Sequence, residues 1–229
     1  MLSPDEIKKN VGSYAAGLVK HGMILGLGTG TTVYWLIQEL GIRVKQGLGI
    51  EIVPTSVQTQ QLAKDAGILI ADLDTVTSLP LTIDGADEID PKGQLIKGGG
   101  GALLKEKIVA SASDELIIIA DSSKLVPQLG KFPLPVEVIP FGYKQVQQKI
   151  MYSEICKKTT LRQKNGQPFI TDHHHYILDC EYEIIADAVL VNNSLHNIPG
   201  IVETGLFINM ASQAIVGYGE ERIEVIKYK

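Results

Sequence analysis

The chain has 229 residues, 45% hydrophobic and 21% charged, enough for one large globular domain or a domain with a smaller companion. With 21 basic and 26 acidic residues the net charge is −5, which excludes the basic footprint of a nucleic-acid binder but not a local site for an anionic small ligand. The charged start MLSPDEIKKN lacks the apolar core of a signal peptide, and no apolar run approaches the roughly 20 residues that span a membrane. Two unpatterned cysteines, Cys156 and Cys180, fit reduced thiols better than a disulfide, so the default expectation is a cytoplasmic protein with no membrane or nucleic-acid partner.

In chain order, Ser3-Pro4-Asp5-Glu6 reads as a capping box that opens a helix carrying Ile7, Val11, Ala15 and Leu18 on one face. MILGLG is a short apolar strand. TTVYWLIQELG then places Val33, Leu36, Ile37 and Leu40 on one helical face, with Gly41 as a stop. The pattern repeats: IEIVPTS is a strand, VQTQQLAKDAG a helix, ILIADL and LPLTIDGAD strands, and LIKGGGGALLKEKIVASA a loop running into a helix. ELIIIAD is an almost unbroken apolar run, as expected of a strand covered on both faces. Such alternation predicts an α/β fold with a mostly parallel sheet, right-handed crossovers and helices on both faces. After Gly130 the texture changes. KFPLPVEVIP breaks the rhythm with three prolines, then come a helical stretch at 143–152, strand-like TTLRQ, PFITD and HYILDC, and a helix-like run ending at Pro199-Gly200. This reads as a smaller α+β domain over 131–205, with 1–130 and 206–229 forming the main domain.

Three loops carry candidate chemistry. GLGTGTT joins a strand to a helix, so its amides and the helix N-terminus form an anion site, with hydroxyls from Thr29, Thr31 and Thr32 as extra donors. Thr31 occupies the third glycine of a dinucleotide fingerprint, the next strand ends in Thr55-Ser56 rather than an acid, and no G-K-[ST] follows. A phosphate monoester therefore fits better than a nucleotide, and an ordinary tight turn is the competing reading. DGADEID crowds Asp84, Asp87, Glu88 and Asp90 around a turn at Gly85. A hard-metal site, a solvated acidic loop and acid–base work on a polyol all remain open there, although no ligand pattern accompanies the acids. In KGGGGALLKEK, four glycines cost conformational entropy unless the backbone must approach something closely. Ala102, Glu106 and Ala110 share one helical face, which would bury the Glu106 carboxylate and suit it to general-base work; a surface acid between Lys105 and Lys107 is the alternative. Lys124 closes ADSSK at a strand end. His173 and His175 in DHHHY lack further ligands at metal spacing.

GLGTGTT, DGADEID, KGGGGALLKEK, ADSSK and GKFPLPVEVIP occur in the order and spacing of ribose-5-phosphate isomerase, type A, and the resemblance extends over essentially the whole chain. It implies a Rossmann-like domain that interconverts D-ribose 5-phosphate and D-ribulose 5-phosphate through an enediolate in the pentose phosphate pathway. No metal or organic cofactor is implied, and the expected assembly is a homodimer or homotetramer. It places substrate binding on Thr29, Gly30, Thr31, Thr32, Asp84, Gly85, Ala86, Asp87, Lys97, Gly98, Gly99, Gly100 and Lys124. The implied catalytic roles are Glu106 as base, Lys97 at the oxyanion and Asp84 in ring opening. Thr31 stands where serine is common, and Gly101 where alanine is common, which should loosen that loop slightly. Two rivals share the fold: a non-catalytic sugar-phosphate sensor, and a coenzyme A transferase or sugar-phosphate deaminase.

Overall fold

The computed structural model describes residues 2–152 and 156–228. They divide into two compact units, one formed by Met1–Ala86, Lys105–Lys124 and Met210–Lys229, the other by Asp87–Leu104 and Leu125–Asn209.

In the first unit, α1 (Pro4–Ala16) starts on the capping box: Ser3 accepts from the Glu6 amide, and the Glu6 carboxylate accepts from the Ser3 amide at 2.7 Å. Two further helices follow, α2 (Thr31–Lys45) and α3 (Val57–Asp65). Seven strands make one sheet in the order Ile223–Lys227, Gln213–Gly217, Leu116–Asp121, Thr82–Asp84, Ile24–Leu27, Glu51–Pro54, Leu69–Ile70. Every neighbouring pair is parallel except the first, where Ile223–Lys227 runs antiparallel along Gln213–Gly217. Successive strand residues point to opposite faces, so Ile52 and Val53 enter different cores. On one face Leu25, Leu27, Ile52, Ile83 and Ile117 pack with Val11 of α1, Leu36 and Leu40 of α2 and Ala63 of α3. On the other, Val53 and Leu79 meet Val109 of α4 (Leu103–Ser111). Helices therefore cover both faces, as the alternation predicts.

The second unit is α+β. A four-stranded antiparallel sheet has the order Ile201–Thr204, Leu134–Val138, Tyr176–Glu181, Lys158–Leu161. Its core side receives Val146 and Ile150 of α5 (Tyr143–Tyr152) and Leu195 of α6 (Ala188–His196). The proline-rich segment that breaks the sequence rhythm is an internal strand here. Pro135 gives up a ladder donor, but its carbonyl still accepts the Gly205 amide at 2.7 Å. Glu88–Ile89 and Leu95–Ile96 form a separate sheet with Leu206–Phe207, which is why residues 87–104 and 206–209 belong with this unit rather than with the main domain expected from sequence. Cys156 and Cys180 are free and buried in this core, where a hydrogen bond with Cys156 and burial hold the Cys180 thiol well above its usual range. Among the described residues no helix is long and apolar enough to cross a membrane.

Candidate active site

The order of the main sheet decides where a ligand can enter the first unit. From Ile24–Leu27 the chain moves outward through Glu51–Pro54 to Leu69–Ile70, then returns to the other side of Ile24–Leu27 with Thr82–Asp84. The carboxyl ends of these two adjacent parallel strands mark a topological switch point, the usual ligand crevice of an open α/β sheet. From one end leads Gly28-Thr29-Gly30 into α2; from the other, Asp84-Gly85. Lys124 ends the short turn after Leu116–Asp121, the next strand along, and is half-buried.

Asp84 ties the first two of these loops together. Its Oδ1 accepts the Thr29 amide at 3.1 Å and the Gly85 amide at 2.7 Å. The approach is close enough that a Cβ at Gly28 would stand 1.9 Å from Asp84 Oδ1, so only glycine fits. Gly30 caps α2 at φ 120° with no side-chain hydrogen bond, leaving the exposed helix start at Gly30 and Thr31 without a side-chain cap, while Thr32 is buried. Thr29 turns inward. Its Oγ1 lies 2.9 Å from Thr55 Oγ1, 2.8 Å from Ser56 Oγ and 3.1 Å from Thr59 Oγ1, and Thr59 Oγ1 donates to the Gly28 carbonyl at 2.6 Å. Thr55 and Ser56, the strand-end residues that argue against a dinucleotide site, are thus partners of Thr29. Their signal was available in Ser56, the N-cap of α3, which accepts the Thr59 amide at 3.0 Å.

The four crowded acids separate into distinct structural jobs. Asp84 holds the Thr29 loop. In the second unit, Asp87 Oδ2 accepts the Gly99 amide at 2.7 Å, so it shapes the glycine loop. Asp90 Oδ1 accepts the Lys92 and Gln94 amides at 2.9 and 2.8 Å and closes the turn between Glu88–Ile89 and Leu95–Ile96. Glu88 is only 3% exposed, and its two oxygens accept the Gly130 and Phe132 amides at 2.7 and 2.6 Å. It anchors the proline-rich segment from its start. Glu88→Ala leaves two amides without their acceptor and costs about 2–4 kcal/mol, read as a lower urea midpoint. A loss below about 0.5 kcal/mol removes Glu88 from this role.

Lys97 is 2% exposed, and its Nζ lies 5.3 Å from the centre of the Phe207 ring. The loop after it turns through a Gly101 amide to Gly98 carbonyl bond of 2.9 Å, with Gly99 and Gly100 exposed. Gly101 has φ +84°, and a Cβ there would meet Phe169 ring atoms at 2.4 Å. The space an alanine methyl would use is taken by that ring, so glycine does not loosen the loop here. In α4, Glu106 is 4% exposed and stands one turn before buried Ala110; Ala102, which precedes the helix, is buried as well. His175 Nδ1 pairs with the buried Glu137 carboxylate at 3.0 Å, which also accepts from Thr171 Oγ1 at 2.9 Å. Among the described residues no cluster of three or more His, Cys, Asp or Glu could hold a metal ion.

The chain matches known proteins over nearly its whole length. The family model for ribose 5-phosphate isomerase A (phosphoriboisomerase A) matches residues 51–221. Ribose-5-phosphate isomerase A of Bacillus mycoides (strain KBAB4) is 55% identical over 215 residues, covering 92% of this chain and 95% of its own. The Listeria monocytogenes protein of the same name is 48% identical over 221 residues, covering 96% and 98%. Among solved structures, ribose 5-phosphate isomerase from Plasmodium falciparum aligns with a TM-score of 0.94 at 36% identity, over 98% of this chain and 99% of its own. A D-ribose-5-phosphate isomerase in complex with phospho-erythronic acid also gives 0.94 at 36% identity, over 99% and 100%.

Proposed function

Because this chain belongs to the ribose 5-phosphate isomerase A family, and so interconverts D-ribose 5-phosphate and D-ribulose 5-phosphate, we propose that Glu106 is the base that carries the proton between carbon-2 and carbon-1. The relatives are isomerases, and neither a sensor nor a transferase or deaminase is favoured. One observation carries the assignment: Glu106 and Lys97 are 4% and 2% exposed. Burying a carboxylate and an ammonium is costly even with partners, and an enediolate mechanism needs one group to take a proton and another to face negative charge.

The remaining roles follow the chemistry. Asp84 opens the furanose ring by relaying the anomeric hydroxyl proton to the ring oxygen as the bond between carbon-1 and that oxygen breaks. Glu106 removes the proton at carbon-2 and returns it at carbon-1, while the proton of the carbon-2 hydroxyl passes to the carbon-1 oxygen. Lys97, with the amides of Gly98, Gly99 and Gly100, stabilises the oxygen that becomes negative in between. Asp87 binds sugar hydroxyls and also holds this loop through the Gly99 amide. The phosphate rests on the start of α2, at Thr29, Gly30, Thr31 and Thr32 with Gly85 and Ala86 beside Asp84, and Lys124 adds charge. No metal or organic cofactor enters these steps. A homodimer or homotetramer and a cytoplasmic location, the latter supported by two free thiols, complete the reading.

The phosphate assignment has its own test. Thr59→Val removes the hydroxyl that reaches Gly28 and Thr29. The expected result is a KM for ribose 5-phosphate raised about 3–10-fold, with kcat within about twofold, because an anchor of the unreacting end contributes equally to ground and transition states. Phospho-erythronic acid, used as a competitive inhibitor, weakens by the same factor. A fall in kcat at constant KM and constant inhibition counts against a phosphate role for this loop.

A further inference from the structure

We propose that Arg162 and Asp179 are positioning residues that set the peptide planes of the Lys97–Gly101 loop. This rests on the assignment of Lys97 and the loop amides to the developing oxyanion. Arg162 follows the strand Lys158–Leu161, far from any of the loops that carry candidate chemistry in the sequence. Its Nε and Nη2 donate to the two oxygens of Asp179 at 3.0 and 2.5 Å, a bidentate fork. The remaining terminal nitrogen, Nη1, donates to the Gly98 carbonyl at 2.8 Å and the Gly99 carbonyl at 3.1 Å. The side chains of Arg162 and Asp179 are 14% and 24% exposed, so this is not a loose surface pair.

The geometry of a trans peptide gives these contacts their meaning, because its C=O and N–H point in opposite directions. The Gly98–Gly99 peptide is held at both ends: carbonyl by Arg162, amide by Asp87 at 2.7 Å. The Gly99–Gly100 peptide has its carbonyl on the same guanidinium, so the Gly100 N–H is directed away from Arg162. Four glycines in a row would otherwise sample a wide range of φ and ψ. The cation also polarises both peptide groups, which makes their N–H groups better donors. Lysine has one compact charge and cannot bridge a carboxylate and two carbonyls in one plane.

Steady-state kinetics on Arg162→Ala, Arg162→Lys, Asp179→Ala and their double variant test the proposal. Arg162→Ala is expected to lower kcat by about 10–100-fold with KM within about threefold, since a misplaced catalytic group costs rate more than binding. Arg162→Lys recovers little of this, and the Arg162→Ala/Asp179→Ala double variant is no slower than Arg162→Ala alone, because both act through one clamp. Added methylguanidinium restores part of the kcat of Arg162→Ala. Val146→Ala, buried in the core of the same unit, serves as the control for simple destabilisation. It lowers the unfolding midpoint, keeps kcat and does not respond to methylguanidinium. The proposal is overturned if Arg162→Ala keeps kcat within about twofold, if Arg162→Lys restores it fully, or if Val146→Ala loses as much at a matched midpoint. Should Arg162→Ala not fold, Arg162→Lys and Asp179→Ala decide by the same split. Glu106→Gln, measured in parallel, separates the two levels. An active Glu106→Gln removes the catalytic reading itself, whereas an inactive Glu106→Gln beside an unaffected Arg162→Ala removes only the clamp.

Discussion

Turnover of ribose 5-phosphate falls by about 10²–10⁴-fold in Glu106→Gln, while the dissociation constant of the substrate changes by no more than a few-fold. Glutamine has nearly the same shape, so it fills the same buried position in α4. What disappears is the ability to take and return a proton. A coupled assay for ribulose 5-phosphate gives the rate, and calorimetric titration of the inactive variant with ribose 5-phosphate gives the binding. A variant within a few-fold of the parent would move the base elsewhere.

Lys97→Met loses about 10²–10³-fold in kcat, the usual consequence of removing one donor from a developing oxyanion. Methionine keeps most of the aliphatic stem and fills irregular space well, so Phe207 retains a neighbour. Two readouts make this decisive. KM stays within several-fold, because the interaction is strongest in the transition state. The unfolding midpoint, measured alongside, separates loss of fold from loss of rate at a position only 2% exposed. A variant that loses stability and KM together, with kcat preserved, would make Lys97 a structural residue. Lys97→Arg keeps the charge but brings a broad planar fork and does not restore the rate.

The main α/β unit was legible because its signals are local. A capping box, apolar runs of strand length and small-residue helix faces each announce themselves within a few positions, and the buried face of Glu106 follows from a spacing of four. Elements that depend on distant partners were not legible. Glu88 looks like one acid among four; its amide partners lie 42 and 44 positions on. Arg162 meets the Gly98 carbonyl across 64 positions and belongs to no motif. Leu134–Val138 was obscured by its own prolines, whose missing donors matter less once Gly205 supplies an amide from the other side. Asp87, which the resemblance places in substrate binding, gives no sign in the sequence of its bond to the Gly99 amide. In each case the residue type was visible and the partner was not.

The parallel pairing of Leu116–Asp121 with Gln213–Gly217 has a bearing on how this protein is made. LIIIAD is apolar, β-prone and buried along almost its whole length, yet the strand that covers one of its edges is synthesised only after the entire 125–209 segment. Until then a growing chain carries a long, sticky edge of the kind that recruits other chains. Nonsense products and carboxy-terminal deletions that stop short of residue 213 would therefore be handled by the cell as aggregation hazards. Sequence-distant closure of this sort also slows folding.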